Sequence, residues 1–359
     1  MILKVPEYYK EFKCIANKCK DTCCKGWEID IDKKTSEFYS QVDDEFGDKL
    51  RKNISETEPK HFIFNKNGKC PFLNDNNLCD IFINLGEEHL CTICSLHPRF
   101  FEWFENLKEG GIGMCCEEAA RLILSQNQTF KTYDIDVPFE PCDTYDKNLF
   151  LALYKLRLKI IKHIEEPTIP LKNRILNILK SMELIQKKID KNQLADDFEI
   201  KEFNANPTLN DFKPLLNHFF KLEYLDSDFK KYLEKNISYY DIINQSSEKL
   251  NAFDKANPEV NTYLENIATY FVWRYFLKGV FDCDIWSKVN LMVVSLIAIK
   301  YLYFCKWMEN GSLSFEDCIV IAKKYSQEIE YSDDNLKLLS DASYDNYFFS
   351  SDYLGRLLF

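Results

Sequence analysis

Crowded cysteines near one end of the chain are the feature that most constrains its fold. Four of the fourteen cysteines fall within Cys14–Cys24, in the run CIANKCKDTCC, and eleven fall within residues 1–142. The first thirty residues carry charges throughout and no apolar signal-peptide segment, which predicts a cytoplasmic protein. Structural disulfides are rare in that compartment, so we expect reduced thiols that serve mainly as metal ligands.

The thiols recur in short groups. In order they are Cys14-x4-Cys19-x3-Cys23-Cys24, then Cys70-x8-Cys79, Cys91-x2-Cys94 and Cys115-Cys116. Soft donors on short loops bind zinc or iron–sulfur clusters, and the spacing by itself favours the two equally, with free thiols as the lesser alternative. Neighbouring side chains diverge in regular structure, so Cys23 and Cys24 are expected to take two different roles or to be bent by a turn at Lys25-Gly26.

The two parts of the chain differ in their patterning. The segment His61–Phe82 has two turn signals between apolar runs, which predicts a small β-hairpin. Beyond it, apolar residues recur every three to four positions, as in Leu171–Ile189, which is typical of amphipathic helices. We predict a mainly α protein in two domains. These are a Cys-rich, loop-rich metal-binding module with a small β-hairpin at residues 1–142, and an all-helical domain at residues 143–359.

Charge and hydropathy limit the partners. The formal net charge of −11 and the pI of about 5.2 argue against nucleic acid as the main partner, because phosphate binding needs clustered lysine and arginine. The most apolar run is Val289–Ile299, between Lys288 and Lys300. It is too short to span a bilayer, so we expect a buried core helix and no membrane span.

Two further features invite a functional interpretation. The glycine cluster Gly110–Gly113 follows a polar stretch, which favours a turn before Cys115 over a nucleotide-binding loop. Arg274 lies inside the aromatic run YFVWRYF, where a guanidinium needs a partner.

With these motifs, the chain resembles the flagellin lysine-N-methylase (FliB) family. The similarity runs from FKCIANKCKDTCCKGWEIDIDKKT through GKCPFLNDNNLCDIF, LGEEHLCTICSLHPRF and CCEEAARLIL to YFVWRYFLKGVFDCDIWSKVNLMVVS, and so covers nearly the whole chain. The first block also resembles the smaller cysteine-cluster proteins of the YkgJ type. The resemblance implies eight metal-ligand positions: Cys14, Cys19, Cys23, Cys24, Cys70, Cys79, Cys94 and Cys116.

The same resemblance implies candidate catalytic residues. The family's tyrosine–proline–arginine motif stands here as His97-Pro98-Arg99, and its CPEA motif stands as the CEEA of residues 116–119. Arg99 and Glu118 are therefore the matched polar residues, and Arg274 joins them as a third candidate. Two other thiols rank below the eight because the family more often has serine there: Cys91 and Cys115.

For function, the resemblance implies transfer of a methyl group from S-adenosylmethionine to lysine side chains of flagellin, with a [4Fe–4S] cluster involved. One cubane takes at most four thiolates, so eight matched cysteines imply either a second metal, with zinc as the candidate, or thiols that support the first. Two alternatives stay open at this stage. One is a zinc-stapled scaffold or binding protein without catalytic activity, and the other is an iron–sulfur enzyme with another substrate.

Overall fold

The computed structural model describes residues 1–193, 198–205, 211–245 and 247–358, with the backbone alone for 237–245 and 247. Within these ranges the protein is mainly helical, as predicted. The α-helices are α1 Lys33–Gln41, α2 Glu45–Lys52, α3 Asp80–Leu85, α4 Thr92–Leu96, α5 Glu117–Leu124, α6 Lys147–Ile164, α7 Leu171–Ile189, α8 Lys213–Phe219, α9 Ser227–Gln245, α10 Ser247–Ala256, α11 Val260–Tyr275, α12 Gly279–Asp282, α13 Trp286–Asn310, α14 Phe315–Ile329, α15 Asp333–Asp345 and α16 Ser351–Leu357.

A small mixed sheet lies in the N-terminal part. Its strands are β1 Ile2–Pro6, β2 Arg99–Phe104, β3 Leu107–Ile112 and β4 Thr132–Asp136, in the spatial order β2-β3-β1-β4. β1 runs parallel to β3 and antiparallel to β4, and β2 pairs antiparallel with β3. No strand lies in the described residues after β4, which agrees with the predicted all-helical second part.

The hairpin predicted at His61–Phe82 is wrong in position. That segment has the two expected turns but only isolated bridges, such as Ile54 with Phe62, and no strand. Its apolar residues Phe62 and Phe72 are buried in a small core, so burial against neighbouring loops replaces strand pairing. The hairpin of this protein is β2–β3, which turns at Glu105 with a left-handed φ of 46°.

The turn predicted before Cys115 is present, but it begins only at the last glycine of the cluster, Gly113, whose carbonyl accepts the N–H of Cys116 at 3.3 Å. Gly110 and Gly111 lie within β3 and pair across the hairpin with Phe101 and Phe100. A Cβ on Gly111 would lie 2.5 Å from the Phe100 ring, so the strand has no room for a side chain there.

The helical part is organised around α13. The helix begins at Trp286 and ends at Gly311, whose φ of +72° provides the left-handed C-terminal cap that glycine adopts without strain. It contains the apolar run singled out from sequence, and that run is buried, as expected of a core helix. By length and composition alone this helix could also cross a membrane, and 83% of its most apolar window is buried inside the protein. The absence of a membrane span stays a prediction.

The buried side chains form two cores. The larger core joins α5–α7, α11 and α13–α16 with residues of the N-terminal part, among them Tyr8, Phe104 and Met114. The smaller core holds nine buried residues between Ile29 and Cys91. The domain boundary placed at residue 142 stays a prediction.

A buried ion pair joins the sheet to the helical part. Both nitrogens at the tip of Arg157, on α6, donate to the carboxylate of Glu109, on β3, at 2.5 Å. The guanidinium is fully buried and lies 4.4 Å from the Trp273 ring on α11. One face of the sheet is therefore fixed against α6 and α11.

Candidate metal centre and active site

None of the fourteen cysteines forms a disulfide, and all of them lie in described residues. The structure divides the eight predicted ligands into two sets. We call Cys14, Cys19, Cys23 and Cys116 the junction thiols. We call Cys24, Cys70, Cys79 and Cys94 the core thiols, with Cys91 beside them.

The junction thiols join two distant segments of the chain. Cys14, Cys19 and Cys23 lie on the loop after β1, whereas Cys116 is the residue before α5. Cys23 is hydrogen-bonded to Cys24 and interacts more weakly with Cys14 and Cys116, and Cys19 interacts with Cys116. The exposed Cys14 and Cys23 leave this side of the set open to solvent.

Buried charges hold the N-terminal loop against the helical part. The Glu117 carboxylate accepts a hydrogen bond from the backbone N–H of Lys20 at 2.9 Å and one from the Cys19 thiol at 3.6 Å. Lys323 on α14 forms an ion pair with Asp21 at 2.7 Å, with its own side chain almost fully buried. These contacts position the loop thiols beside Cys116.

The electrostatics at the junction suit a bound cation or cluster. Burial raises the pKa of the Cys19 thiol to about 11, so without a metal it stays protonated near neutral pH. The Cys116 sulfur accepts backbone N–H groups of Glu118 and Ala119 at the start of α5. Burial raises the pKa of the Cys116 thiol, and these hydrogen bonds from the helix N-terminus offset part of that effect.

An aromatic wall lies beside the junction thiols. The Trp27 indole donates to the carbonyl of Cys23 at 2.8 Å, and its ring centroid lies 6.1 Å from that of His97. The Tyr331 ring centroid lies 6.5 Å from that of His97. Burial lowers the pKa of His97 to about 4, so this imidazole is neutral at pH 7 and offers a lone pair rather than a charge.

Arg274 has the partner that its aromatic surroundings demand. Its guanidinium forms an ion pair with Glu330 at 3.1 Å and donates to the Tyr270 hydroxyl at 2.5 Å. Glu330 also accepts from Tyr270 and Tyr275, each at 2.8 Å. The network lies next to Gly113, where an added Cβ would be 3.2 Å from the Arg274 guanidinium.

The other two candidate catalytic residues have different surroundings. Arg99 lies over the rings of Tyr9 and Phe12, at 5.7 and 5.2 Å, and within the described ranges it has no carboxylate partner. Glu118 pairs with Arg121 at 3.4 Å on the first turns of α5. The catalytic roles of Arg99, Glu118 and Arg274 stay predictions.

The core thiols lie around the smaller core. Cys70 is buried in it, and Cys24, Cys79 and Cys94 pack against it. The backbone N–H of Cys70 donates to the carbonyl of Cys24 at 2.8 Å. Cys79 and Cys91 immediately precede the short helices α3 and α4. The Cys23 and Cys24 side chains are hydrogen-bonded to each other, so the two sets meet at this pair. The expectation that the two residues take different roles stays a prediction.

The spacing of the sulfurs tests which metal they fit. In a zinc tetrahedron with Zn–S bonds of about 2.3 Å, neighbouring sulfurs are about 3.8 Å apart. Across the described residues, no three thiol sulfurs lie within 4.8 Å of one another. The thiols are therefore not drawn together as in an occupied zinc site, and their donor chemistry fits zinc or an iron–sulfur cluster.

The metal-ligand spacing is met elsewhere by harder donors. Glu28, Asp30 and His61 bring two carboxylates and an imidazole within 4.8 Å of one another. The Nδ1 of His61 lies 3.0 Å from the carbonyl of Pro59, which leaves Nε2 towards Glu28. This group was not expected from sequence, because Asp30 and His61 meet only through an isolated backbone bridge.

Several residues of the junction were also missed. Lys323, on α14, and Tyr331, in the turn after α14, follow the cysteine blocks by about 200 residues. Nothing local marks them, since their role comes from packing α14 against the N-terminal loop. Glu330 has a single indirect signal, which is the need of Arg274 for a buried partner.

A cavity of about 330 Å³ lies behind this network. Tyr270 forms part of its wall, and its other walls come from residues 123–131 and from α11. Three carboxylates line it, from Glu7, Glu165 and Glu265, together with several side-chain amides. Lys131 also lines the cavity, and Glu265 is already paired with Arg174 at 2.7 Å, so part of this negative charge is balanced within the protein.

Comparison with known proteins gives relatives for nearly the whole chain. A lysine-N-methylase of Salmonella typhimurium is 22% identical over 388 aligned residues, covering 92% of this chain and 92% of the relative. A lysine-N-methylase of Salmonella choleraesuis aligns to the same extent. A flagellar biosynthetic protein FliU of Salmonella muenchen is 28% identical over 127 residues, which is 33% of this chain and 75% of the relative. No solved structure matches the chain.

The likeness of the first cysteine block to YkgJ-type proteins stays a prediction.

The family comparison agrees with these relatives. The model of the FliB lysine N-methylase C-terminal domain matches residues 157–357, which is more than half of the 359 residues. The chain therefore belongs to the FliB lysine N-methylase family.

Proposed function

We propose that this protein is a cytoplasmic methyltransferase that transfers a methyl group from S-adenosylmethionine to lysine side chains of flagellin. In this proposal a [4Fe–4S] cluster is bound by the junction thiols. Family membership and the names of the relatives support the lysine methylase activity. The name of the FliU relative supports a flagellar substrate.

One observation carries the location of the site. Thiols from the N-terminal loop meet Cys116 at the start of α5, where Glu117 and Lys323 hold the loop against the helical part. Four thiols are the number that a cubane uses. Their open side and the neighbouring aromatic wall leave room for a reactant, whereas the core thiols are enclosed by apolar side chains.

The chain's own residues have three tasks in such a reaction. As the lysine nitrogen bonds to the methyl carbon, the bond from that carbon to the sulfonium sulfur breaks, S-adenosylhomocysteine leaves and the proton of the amine passes to solvent. The residues must align the amine with the methyl carbon, hold it as the neutral amine and exclude water from the methyl carbon. Trp27 and Tyr331 flank the site and exclude water, and neutral His97 between them accepts a hydrogen bond from the substrate amine. Arg99 supplies a positive charge for the carboxylate of S-adenosylmethionine. A bound cluster would add redox or Lewis-acid chemistry.

Arg274 lies behind the residues that line the proposed site. Because Glu330 and two tyrosines already satisfy much of its guanidinium, it positions Tyr331 and the strand end at Gly113 rather than touching substrate. Glu118 is fixed by Arg121 and orients the first turn of α5, whose N–H groups reach Cys116. Both are thus positioning residues in this proposal.

The test begins with protein purified without oxygen. Iron, acid-labile sulfide and zinc are measured per chain, and methylation of flagellin lysines is followed by mass spectrometry with S-adenosylmethionine as donor. We expect a brown protein with about four irons and four sulfides at the junction thiols. Cys116→Ser should lose this iron and the activity. Cys283→Ser, at an exposed thiol in the helical part, is the matched control and should keep both.

Two results would contradict the proposal. Full methyl transfer by iron-free Cys116→Ser would remove the cluster from the mechanism. A folded, fully loaded wild-type protein that methylates no flagellin lysine would leave a scaffold, or an iron–sulfur enzyme with another substrate.

A further inference from the structure

A mixed group of carboxylate and imidazole side chains lies outside the proposed reaction site. One carboxylate oxygen each of Glu28 and Asp30 and one ring nitrogen of His61 all lie within 4.8 Å of one another. No cysteine belongs to this group, and none of its members has a task in the proposed methyl transfer. Its geometry therefore needs an explanation of its own.

The backbone brings the group together. Asp30 and His61 face each other across an isolated antiparallel bridge. The flanking backbone hydrogen bonds, of 3.1 and 2.7 Å, join the residues before and after these two and not the two themselves. In such a non-hydrogen-bonded pair the opposite side chains come closest. Glu28 stands two positions before Asp30, where an extended chain returns to the same face. The local fold thus presents all three donors on one side.

The three side chains bring acceptor atoms together without a donor between them. The Oδ1 atom of Asp30 is shielded from solvent and has no hydrogen-bond partner in the part of the chain that the structure describes. The Nδ1 of His61 lies 3.0 Å from the carbonyl of Pro59, which can only accept, so in the neutral ring this nitrogen carries the proton. The lone pair of Nε2 then faces the Glu28 carboxylate at 3.7 Å, which is too long for a hydrogen bond.

No cationic side chain neutralises the two carboxylates. Among the described residues, neither Glu28 nor Asp30 forms an ion pair with a lysine or arginine. Lys60, next to His61 in sequence, donates instead to the carbonyls of Ser55 and Glu56. A metal ion would supply the missing positive charge. A backbone carbonyl on the second ring nitrogen is also the arrangement that orients metal-binding histidines.

We propose that Glu28, Asp30 and His61 bind a divalent cation of the manganese class. Carboxylate oxygens and an imidazole nitrogen are harder donors than thiolates, and carboxylate-rich sites suit Mn²⁺. Glu28 is exposed, so water completes the coordination on the outer side. The site is distinct from any metal held by the thiols, and it goes beyond the proposed function without resting on it.

The position gives the ion a structural task. Ile29 and Ile31 lie on either side of Asp30, and Phe62 follows His61, and all three apolar side chains are buried in the smaller core. The ion therefore holds together two segments of that core. It stabilises the folded protein, because ligands from separate segments meet only in the folded chain.

Mn²⁺ is the probe that tests the site, because soft thiolates bind it weakly. Manganese chloride is titrated into the full-length protein, purified without oxygen, and free Mn²⁺ is measured by EPR. Wild type should bind one Mn²⁺ per chain and unfold at a higher temperature as Mn²⁺ is added. Asp30→Asn and His61→Gln should bind at least about 10–100-fold more weakly, the loss that removing even an outer partner of a metal ligand causes. Glu37→Gln, at an exposed carboxylate on α1, is the control for the lost charge and should bind as wild type does.

Pulsed EPR of Mn²⁺ bound to the wild-type protein decides the case even if a variant fails to fold. Coupling to one imidazole nitrogen is expected. Three results would overturn the proposal: wild type that binds no Mn²⁺, bound Mn²⁺ without a nitrogen neighbour, or binding by Asp30→Asn as tight as that of wild type. None of these measurements involves methyl transfer, so the proposed function and this site can fail separately.

Discussion

At the residue scale, the strand β3 depends on the absence of two side chains. The rings of Phe100 and Phe101 occupy the positions where side chains of Gly111 and Gly110 would begin. Phe100 in turn packs on the Arg274 guanidinium at 4.8 Å. These glycines therefore let aromatic rings of β2 lie flat over β3, against the buried network below the site.

We expect Gly111→Ala to destabilise the protein by about 1–3 kcal/mol, because the Phe100 ring must shift against its packed neighbours. Denaturant unfolding at neutral pH measures the change. Gly355→Ala is the control, since its added Cβ meets only the end of the Leu176 side chain, and alanine favours a helix. Equal stability of the two variants would contradict the close approach.

Glu117 and Glu118 are adjacent but hold different parts of the junction. Glu117 accepts the backbone N–H of Lys20, whereas Glu118 pairs with Arg121. Groups that orient metal ligands typically change metal affinity about 10–100-fold when removed. Glu117→Ala should therefore lose iron to a chelator far more readily than wild type, and more readily than Glu118→Ala, because the Glu118 carboxylate has no hydrogen bond to the N-terminal loop among the described residues.

The measurement for this pair is the chelator concentration at which half of the iron is removed, followed by the visible spectrum. If Glu117→Ala retains iron as strongly as wild type, the loop does not depend on this carboxylate. Methyl transfer by Glu118→Ala is scored separately, because its orienting role belongs to the proposed function.

At the element scale, β3 and α6 depend on one buried ion pair. Glu109 is the buried partner of Arg157, and both carry their charge away from water. Removing one member of such a pair leaves an uncompensated charge, which costs about 3–5 kcal/mol. By contrast, the exposed pair of Lys147 with Glu105 should contribute about 0–1 kcal/mol.

We therefore expect Glu109→Gln to lower the free energy of unfolding several times more than Lys147→Ala, as measured by urea unfolding. Replacing both Glu109 and Arg157 by apolar residues should recover part of the loss, because no charge is then left unpaired. A double variant less stable than Glu109→Gln would contradict this account.

The contact of α14 with the N-terminal part depends on the ionisation of the Glu316 carboxylate. Hydrogen bonds from Arg121 and then from Lys20 lower the pKa of Glu316 from 4.5 to about 2. Because the folded-state pKa is the lower one, this contact stabilises the folded protein above pH 4.5 and loses its effect as the pH falls towards 2.

The difference in urea midpoint between wild type and Glu316→Gln should thus be constant above about pH 5 and shrink below it. A series of unfolding curves from pH 7 to pH 3 measures this. A difference that stays the same down to pH 3 would show that Glu316 is not held ionised by these partners.

At the scale of the whole molecule, the larger core needs residues from both parts of the chain. Phe104, Ile112 and Met114 contribute to it, and the Met114 N–H donates to the Tyr270 hydroxyl at 3.2 Å. The helices after residue 143 do not close this core by themselves. The sequence pattern changes from thiol motifs to helical periods near residue 143, but the larger core contains residues from both sides of that position.

A fragment of residues 143–359 should therefore fail to unfold cooperatively and should bind hydrophobic dyes, because it exposes the surface that α5 and the sheet cover. Thermal unfolding with dye fluorescence tests this, with the full chain as control. A cooperative transition in the fragment would establish the helical part as an autonomous domain.

Much of the architecture could be read from local pattern. Apolar residues at three-to-four spacing predicted α7 and the helices around Arg274, since a helix must bury one stripe of its surface. The resemblance of the cysteine blocks led to the family to which the chain belongs. The strands were not predicted, because their alternation of apolar and polar residues is short and because β3 contains glycines, which are usually turn residues.

The sequence by itself determined the mainly helical fold, the burial of α13 and the grouping of unpaired cysteines into short blocks, because periodicity and residue chemistry are local properties. Only the tertiary structure decided which thiols meet. Cys24 packs against the smaller core, Cys116 lies beside a loop about a hundred residues away in sequence, and Lys323 pairs with Asp21 across about 300 residues. Spacing along a chain fixes what neighbours can do, whereas contacts between distant segments depend on how their apolar faces pack.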